Sequence, residues 1–326
     1  MKSLTEASIF SWLRDETSPK CVFNDLRVTR YLEADFPKGA YRYRLVYLQR
    51  ADEVLLMQWL MALGQDFSIA VIHRKSANNG IEVALKQPVS DDAVYQLSQS
   101  NTIELFDLPE SLPVLNKTGI LVMDMDSTAI QIECIDELAK MAGVGKAVSD
   151  VTERAMQGEL DFEESLRARV AQLKGANAGI IDELCQALPL MPGLVEMTQE
   201  LQSYGWYLVL ASGGFTAFVH YLKDELSLDA AFANELVIDN GHLTGEVKGQ
   251  VVDAQFKADT LMNCADQWGI AKGQRLAIGD GANDIPMIQA ADFGVAFHAK
   301  PKLAAAADIA IRNIDLRALP FLLIFV

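Results

Sequence analysis

Apolar and polar positions recur with two different periods along the chain, and the changes of period mark out its elements. Residues 41–48 alternate as a strand does, 52–63 carry apolar residues at helical spacing, and 67–73 and 81–85 read as two more strands. Ser76-Ala77-Asn78-Asn79-Gly80 supplies turn residues between those two. Residues 91–97 are helical with Ser90 as a good N-cap, and 103–108 return to a strand. Residues 1–38 give only a short amphipathic stretch at 9–13, and 108–117, with Pro109 and Pro113, reads as a linker.

A second pattern starts at 119–123, an unbroken apolar run of the kind found in a buried strand. Residues 133–188 are then strongly helical, with helical apolar spacing in 135–139, 148–156 and 162–173, punctuated by Gly143, Gly145, Gly158 and Gly175. Strand-like runs return only at 206–211, 232–238 and 276–278. Asp239-Asn240-Gly241-His242 is a hairpin turn, with strands expected on either side to about Val252. Residues 254–264 are helix-like, the alanine run 304–307 predicts a helix, and 319–326, interrupted by Pro320, predicts a last core element.

These elements predict two domains. Residues 1–110, regular over about 40–108, have the βαββαβ order of an α+β ferredoxin-like unit. ACT domains, which bind amino acids, share that order, but order alone does not carry function. Such modules often place a glycine turn after the first strand, where this chain has Gln49-Arg50-Ala51-Asp52. A structural or dimerising role, with a homodimer formed through this domain, is therefore favoured over sensing. Residues 111–326 predict an α/β domain. Its core, 117–132 and 189–326, is a Rossmann-type parallel sheet, and a helical cap at about 133–188 follows the first strand as a lid.

Composition narrows the partners. A formal charge of −16 over 326 residues argues against non-specific nucleic-acid binding and against adhesion to anionic membranes. It suits a small substrate whose charge is handled locally by a few basic residues and a metal. Cys21, Cys134, Cys185 and Cys264 lie far apart without a CxxC pair, so neither a disulfide framework nor a zinc site is expected. The amino terminus has no signal-peptide pattern, and no apolar run approaches the roughly 20 residues of a membrane helix. A soluble, cytoplasmic protein is expected.

The chemistry is concentrated where strands end. Asp124 and Asp126 follow the apolar run directly, and in extended chain their side chains point the same way. Open α/β sheets bind ligands at that edge. Two carboxylates so close need a divalent cation or a shared proton, and one can act as nucleophile while the other moves protons. The pair can equally serve as caps for the following helix. Ser212-Gly213-Gly214 at the next strand end offers N–H groups to an anion, or forms an ordinary turn. Lys257 alone is an unremarkable solvated lysine. The loop Gly279-Asp280-Gly281-Ala282-Asn283-Asp284 is more specific, because Asp280 and Asp284 can reach one hard cation such as Mg²⁺. It lacks the alternating oxygen donors and closing glutamate of a calcium EF-hand.

In this order, DxDST, SGG, a lysine and GDGAND resemble the haloacid-dehalogenase (HAD) superfamily of phosphotransferases across roughly residues 118–312. Glu133, Met156-Gln157-Gly158, Phe162, Arg169, Phe232-Ala233-Asn234 and Leu243-Thr244-Gly245 resemble its branch acting on O-phospho-L-serine. The resemblance implies an HAD-like core and Mg²⁺-dependent hydrolysis to L-serine and phosphate through an aspartyl-phosphate. It implies Asp124 as nucleophile and Asp126 as general acid/base. Asp124, the Asp126 backbone carbonyl, Asp280 and Asp284 would hold the metal. Ser212, Gly213 and Lys257 would hold the transferring oxygens, supported by Asn283. Glu133 would read the substrate ammonium and Arg169 its carboxylate, with Met156 and Phe162 closing over the site. Without the resemblance, Met156 and Phe162 read as core and Glu133 and Arg169 as surface ion-pair residues. Cys134, His220 and His298 are structural by default. Transfer to another hydroxyl such as homoserine uses the same residues, and a serine-sensing protein with a vestigial site is opposed by the intact acid and lysine set.

Overall fold

The computed structural model describes residues 2–4, 9–15, 19–23, 25–37, 40–75 and 78–326. Ser76 and Ala77 of the expected turn lie outside the described residues. The chain divides into two units: Met1–Thr118 with Val195–Gly205 and Asp308–Val326, and Gly119–Leu194 with Trp206–Ala307.

The first unit opens with β1 (Lys2–Leu4), α1 (Ile9–Asp15), β2 (Lys20–Phe23) and β3 (Leu26–Arg30). It continues through β4 (Tyr41–Tyr47), α2 (Glu53–Ala62), β5 (Phe67–Ile72), β6 (Asn79–Leu85), α3 (Asp91–Ser98) and β7 (Ile103–Asp107). Its sheet runs β1-β2-β3-β5-β6-β4-β7. The last four strands pair antiparallel in ferredoxin-like order, as the βαββαβ pattern predicts. Ser90 caps α3 by accepting the Ala93 N–H at 3.3 Å. What the pattern did not reveal is the extension by residues before 31, where β3 joins β5 in parallel. Those strands are only three to five residues long, too short for alternation to register.

Strand alternation explains the two faces of this sheet. Tyr43, Leu45 and Tyr47 of β4 face a core shared with Trp12 and Leu13 of α1 and with Leu56, Trp59 and Leu60 of α2. Arg42 and Arg44, at the intervening positions, are also buried, with Glu82 between them. Segment 308–326 covers part of that charged side. Arg44 donates to Phe321 O and to Leu323 O (2.7 Å), and Arg74 Nε donates to Pro320 O (2.7 Å). Leu319, Phe321, Leu322 and Leu323 are fully buried, so the expected last core element is present, as a 3-10 turn over Leu316–Leu322.

The second unit starts at β8 (Ile120–Met123). Helices α4 (Cys134–Met141), α5 (Gly145–Met156), α6 (Phe162–Gln172) and α7 (Gly179–Gln186) follow at once and form the helical cap. α8 (Leu194–Ser203) falls, but for its first residue, in the first unit's segment Val195–Gly205, and the second unit resumes with β9 (Tyr207–Phe215), α9 (Thr216–Leu226), β10 (Ala230–Asp239), β11 (His242–Lys248), α10 (Ala254–Gln267), β12 (Arg275–Gly279), α11 (Ile285–Ala290), β13 (Phe293–Phe297) and α12 (Pro301–Ala304). The order within the unit is β11-β10-β9-β8-β12-β13. All pairs are parallel except the β10–β11 hairpin, whose turn residues Asn240 and Gly241 take φ of 48° and 78°. β8 is central and buried on both faces, which is why its sequence is continuously apolar.

Three expectations are corrected. β11 stops at Lys248 rather than near Val252, because Gly249 turns the backbone to φ 74°. The alanine run is not a helix: α12 begins at Pro301 and ends at Ala304, and turns follow. Ser212-Gly213-Gly214 is neither a turn nor a helix start but the interior of β9, which continues to Phe215. No helix among the described residues is long and apolar enough to cross a membrane.

Candidate active site

β8 delivers Asp124 to the carboxyl edge of the sheet, where its N–H still pairs with Ile278 O at 3.0 Å. The chain then folds over itself. Asp124 Oδ1 accepts the Met125 N–H (2.7 Å), and Met125 O accepts N–H groups from Thr128, Ala129 and Ile130. Ser127 takes a left-handed φ of 57°, a local cost that holds the tight turn. The turn, rather than an extended strand, directs both Asp124 and Asp126 into one cleft of about 580 Å³.

Glycine shapes the neighbouring wall. A Cβ on Gly214 would lie 2.9 Å from Met125 Cε and 3.0 Å from Asp126 Oδ2, so any other residue would have to displace those side-chain ends. Ser212 is buried, and its Oγ accepts the Gly214 N–H at 2.9 Å. Asn234 on β10 donates to Gly213 O (2.8 Å) and Gly214 O (3.2 Å) while accepting the Val252 N–H (2.8 Å). It clamps the strand to the loop behind it.

Lys257 is not solvated. α10, capped by Asp253 accepting the Phe256 N–H, carries it into the interior, where it is 1% exposed. Its Nζ lies 2.7 Å from Asp124 Oδ1 and 2.8 Å from Asp284 Oδ1. Burial alone would lower its pKa, but the two carboxylates outweigh burial and the net direction is up. Asp284 Oδ2 accepts the N–H groups of Asp280 (3.2 Å) and Gly281 (3.1 Å), folding the acidic loop around its own side chain.

Asp124, Asp280 and Asp284 each offer an oxygen within 4.8 Å of the others. Burial, then Asp284, raises Asp124. Burial, then Glu133, raises Asp126 to about 7, and burial, then Asp284, raises Asp280 to about 6. The site thus holds more negative charge than Lys257 offsets. A compact set of hard oxygens with excess charge is what a divalent cation requires, so the residues fit a metal. The carboxylate of Asp126 lies outside that set and accepts the Cys134 N–H at 3.0 Å.

The cap supplies the rest. Glu133, at the N-cap position of α4, accepts a hydrogen bond from the Ser127 hydroxyl at 3.0 Å. Arg169 on α6 is half-buried in the cleft and donates from Nε to Ser165 O at 3.4 Å. It forms no ion pair among the described residues, and burial lowers its pKa despite Asp136, Glu133 and Asp126. Phe162 lies against Gly213, where an added Cβ would come within 2.9 Å of its ring, and Met156 is 83% exposed at the rim. Asn283 and Gly213 line the cleft, whereas Ser212 and Lys257 lie beneath its wall. Lys300 and Asp136 also line it and were not anticipated, since a loop lysine and a helix-face aspartate carry no pattern.

A family model described as haloacid dehalogenase-like hydrolase matches residues 119–292, and the chain belongs to that family. Within it, the chain is similar to phosphoserine phosphatases. It is 50% identical over 279 residues to the phosphoserine phosphatase of Haemophilus influenzae, covering 86% of this chain and 88% of that one. The crystal structure of a probable phosphoserine phosphatase from Vibrio cholerae, unliganded, superposes with a TM-score of 0.74 at 42% identity, over 90% of this chain and 91% of that one. A structure of a phospho-aspartyl intermediate analogue of phosphoserine phosphatase matches with a TM-score of 0.60 at 40% identity, over 64% of this chain and 99% of that one.

Proposed function

We propose that this chain is a phosphoserine phosphatase, hydrolysing O-phospho-L-serine to L-serine and phosphate through a phosphoryl group carried on Asp124. The observation that carries the reading is the Asp124–Lys257–Asp284 triad, whose Asp124 lines a cleft that also holds Glu133 and Arg169, the latter forming no ion pair among the described residues. The relatives named above support the choice of substrate.

Asp124 attacks phosphorus as the bond to the serine oxygen breaks, and Asp126 gives that oxygen its proton. Asp126 then takes a proton from water, whose oxygen bonds to phosphorus as the Asp124–phosphorus bond breaks. A pKa raised to about 7 suits a group that must both give and accept a proton. Lys257, held at 2.7 Å from Asp124, bears against the transferring oxygens together with the Gly213 N–H and the Ser212 hydroxyl. Arg169 grips the substrate carboxylate and Glu133 its ammonium, while Phe162, against Gly213, shields the reacting group from water and Met156 stands at the rim of the cleft. Asp124, the Asp126 carbonyl, Asp280 and Asp284 would hold Mg²⁺, with Asn283 supporting the loop. Bound there, it supplies positive charge to the phosphoryl oxygens.

The test is phosphate release from L-phosphoserine, with Mg²⁺ and then with excess chelator, beside a generic aryl phosphate. Selective release that the chelator stops and Asp124→Asn abolishes is expected. Turnover retained in Asp124→Asn would remove it as nucleophile, and release that requires added homoserine would make the chain a phosphotransferase.

A further inference from the structure

We infer that the first unit carries a second ligand site, a cationic pocket for a small organic carboxylate. The pocket, about 320 Å³, lies among α1, the ends of β4 and β5 and the start of β6, and is at the small end of ligand cavities. Arg14, Arg50, His73, Arg74 and Asn78 supply its polar lining, and no acidic residue lines it among the described residues. In a chain with 44 acidic and 28 basic residues, a concavity lined by three arginines and no acid selects for negative charge.

Not all of that charge is available. Arg14 pairs with Glu53 at 2.6 Å, and Arg74 is held by Glu33 and by the carbonyls of Pro320 and Leu323. Arg50 makes no side-chain hydrogen bond or ion pair with the described residues, so one cation remains to be matched. The second observation is Asn78. It is 8% exposed, and its Nδ2 has no hydrogen-bond partner among the described residues. A buried donor of this kind is costly to keep unless something accepts from it, and an anion in the pocket does so.

One free cation and one free amide donor match a single carboxylate better than a phosphate dianion. The remaining wall, including Phe10, Leu13, Val71 and Ile72, is apolar and accommodates a short hydrocarbon part. This inference does not rest on the catalytic reading of the other unit.

The experiment is calorimetric titration of the full chain with butanoate, butylammonium and inorganic phosphate. Butanoate is expected to bind and butylammonium not to. Arg50→Glu and Asn78→Leu should each weaken butanoate at least about tenfold, about 1.4 kcal/mol. Arg169→Ala, in the catalytic cleft, should leave it unchanged. Butanoate binding that survives Arg50→Glu, or disappears in Arg169→Ala, overturns the site. Inorganic phosphate bound more tightly than butanoate, and lost in Arg50→Glu, overturns the carboxylate assignment. Should Asn78→Leu fail to fold, Arg50→Glu decides alone, because Arg50 is on the surface.

Discussion

Lys257 shows how little a residue type says before its neighbours are known. In sequence it is one of many lysines, yet in the fold it is sealed between two carboxylates whose attraction exceeds the penalty of burial. The aspartates were legible because their chemistry is local: two acids beside an apolar run, and two more in a glycine-flanked loop. Asn234 was visible only as part of a resembling stretch, since its work, bonding two strand carbonyls and a distant N–H, depends on contacts about 20 residues apart. Arg169 is the residue to test. Its guanidinium forms no ion pair among the described residues, so its removal breaks no salt bridge there. Arg169→Ala is expected to lower kcat/KM for phosphoserine about 100-fold while leaving a generic aryl phosphate nearly unchanged. Parallel steady-state kinetics on the two substrates measure this, and equal losses would show that Arg169 does not read the carboxylate.

Among the elements, periodicity was most informative where an element is long and one-sided. The cap helices and the antiparallel strands of the first unit fell near their expected limits. It failed at β9, where glycines that normally end a strand are retained inside it because the Phe162 ring lies against Gly213 and side chains of the aspartate turn lie against Gly214. β12 ends under a similar constraint. A Cβ on Gly279 would lie 2.7 Å from Asp284 Cβ and closer still to its carboxylate. The strand can therefore meet its acidic loop only through glycine. Gly279→Ala is expected to displace Asp284 and raise the Mg²⁺ concentration for half-maximal activity at least about tenfold, about 1.4 kcal/mol, with helix content intact. Metal titration of activity with a parallel circular dichroism spectrum checks it, and an unchanged midpoint would mean the loop relaxes around the methyl group.

At the scale of the whole molecule, the units are interleaved in sequence, and the first is completed by a segment from far downstream. Glu104 on β7 ties that segment down, accepting N–H groups from Arg312 (2.7 Å), Asn313 (3.0 Å) and Ile314 (3.3 Å). Burial raises its pKa, and the three donors pull it back only in part. A raised pKa means the folded state binds the proton more tightly. The resulting stability is present below the unfolded pKa and is lost as pH rises through the folded one. The stability of the wild type relative to Glu104→Gln is therefore expected to fall as pH rises through and above the ordinary glutamate range. Urea unfolding across that range measures it, and a relative stability that rises would show that the donors outweigh burial. No periodicity signals this arrangement, because the partners are about 208 residues apart.

The covering of Arg44 and Arg74 by segment 308–326 also sets an order of events during synthesis. The first sheet leaves the ribosome roughly 190 residues before the strand of chain that covers its charged side. At roughly 5–20 residues per second, that is an interval of about 10–40 s. During it Arg44 and Glu104 face water rather than the carbonyls and N–H groups they hold at the end, and the apolar residues around Phe321 have yet to arrive. The first unit to be translated is thus the last to be finished, and the nascent chain must stay soluble with one side of its sheet uncovered until then.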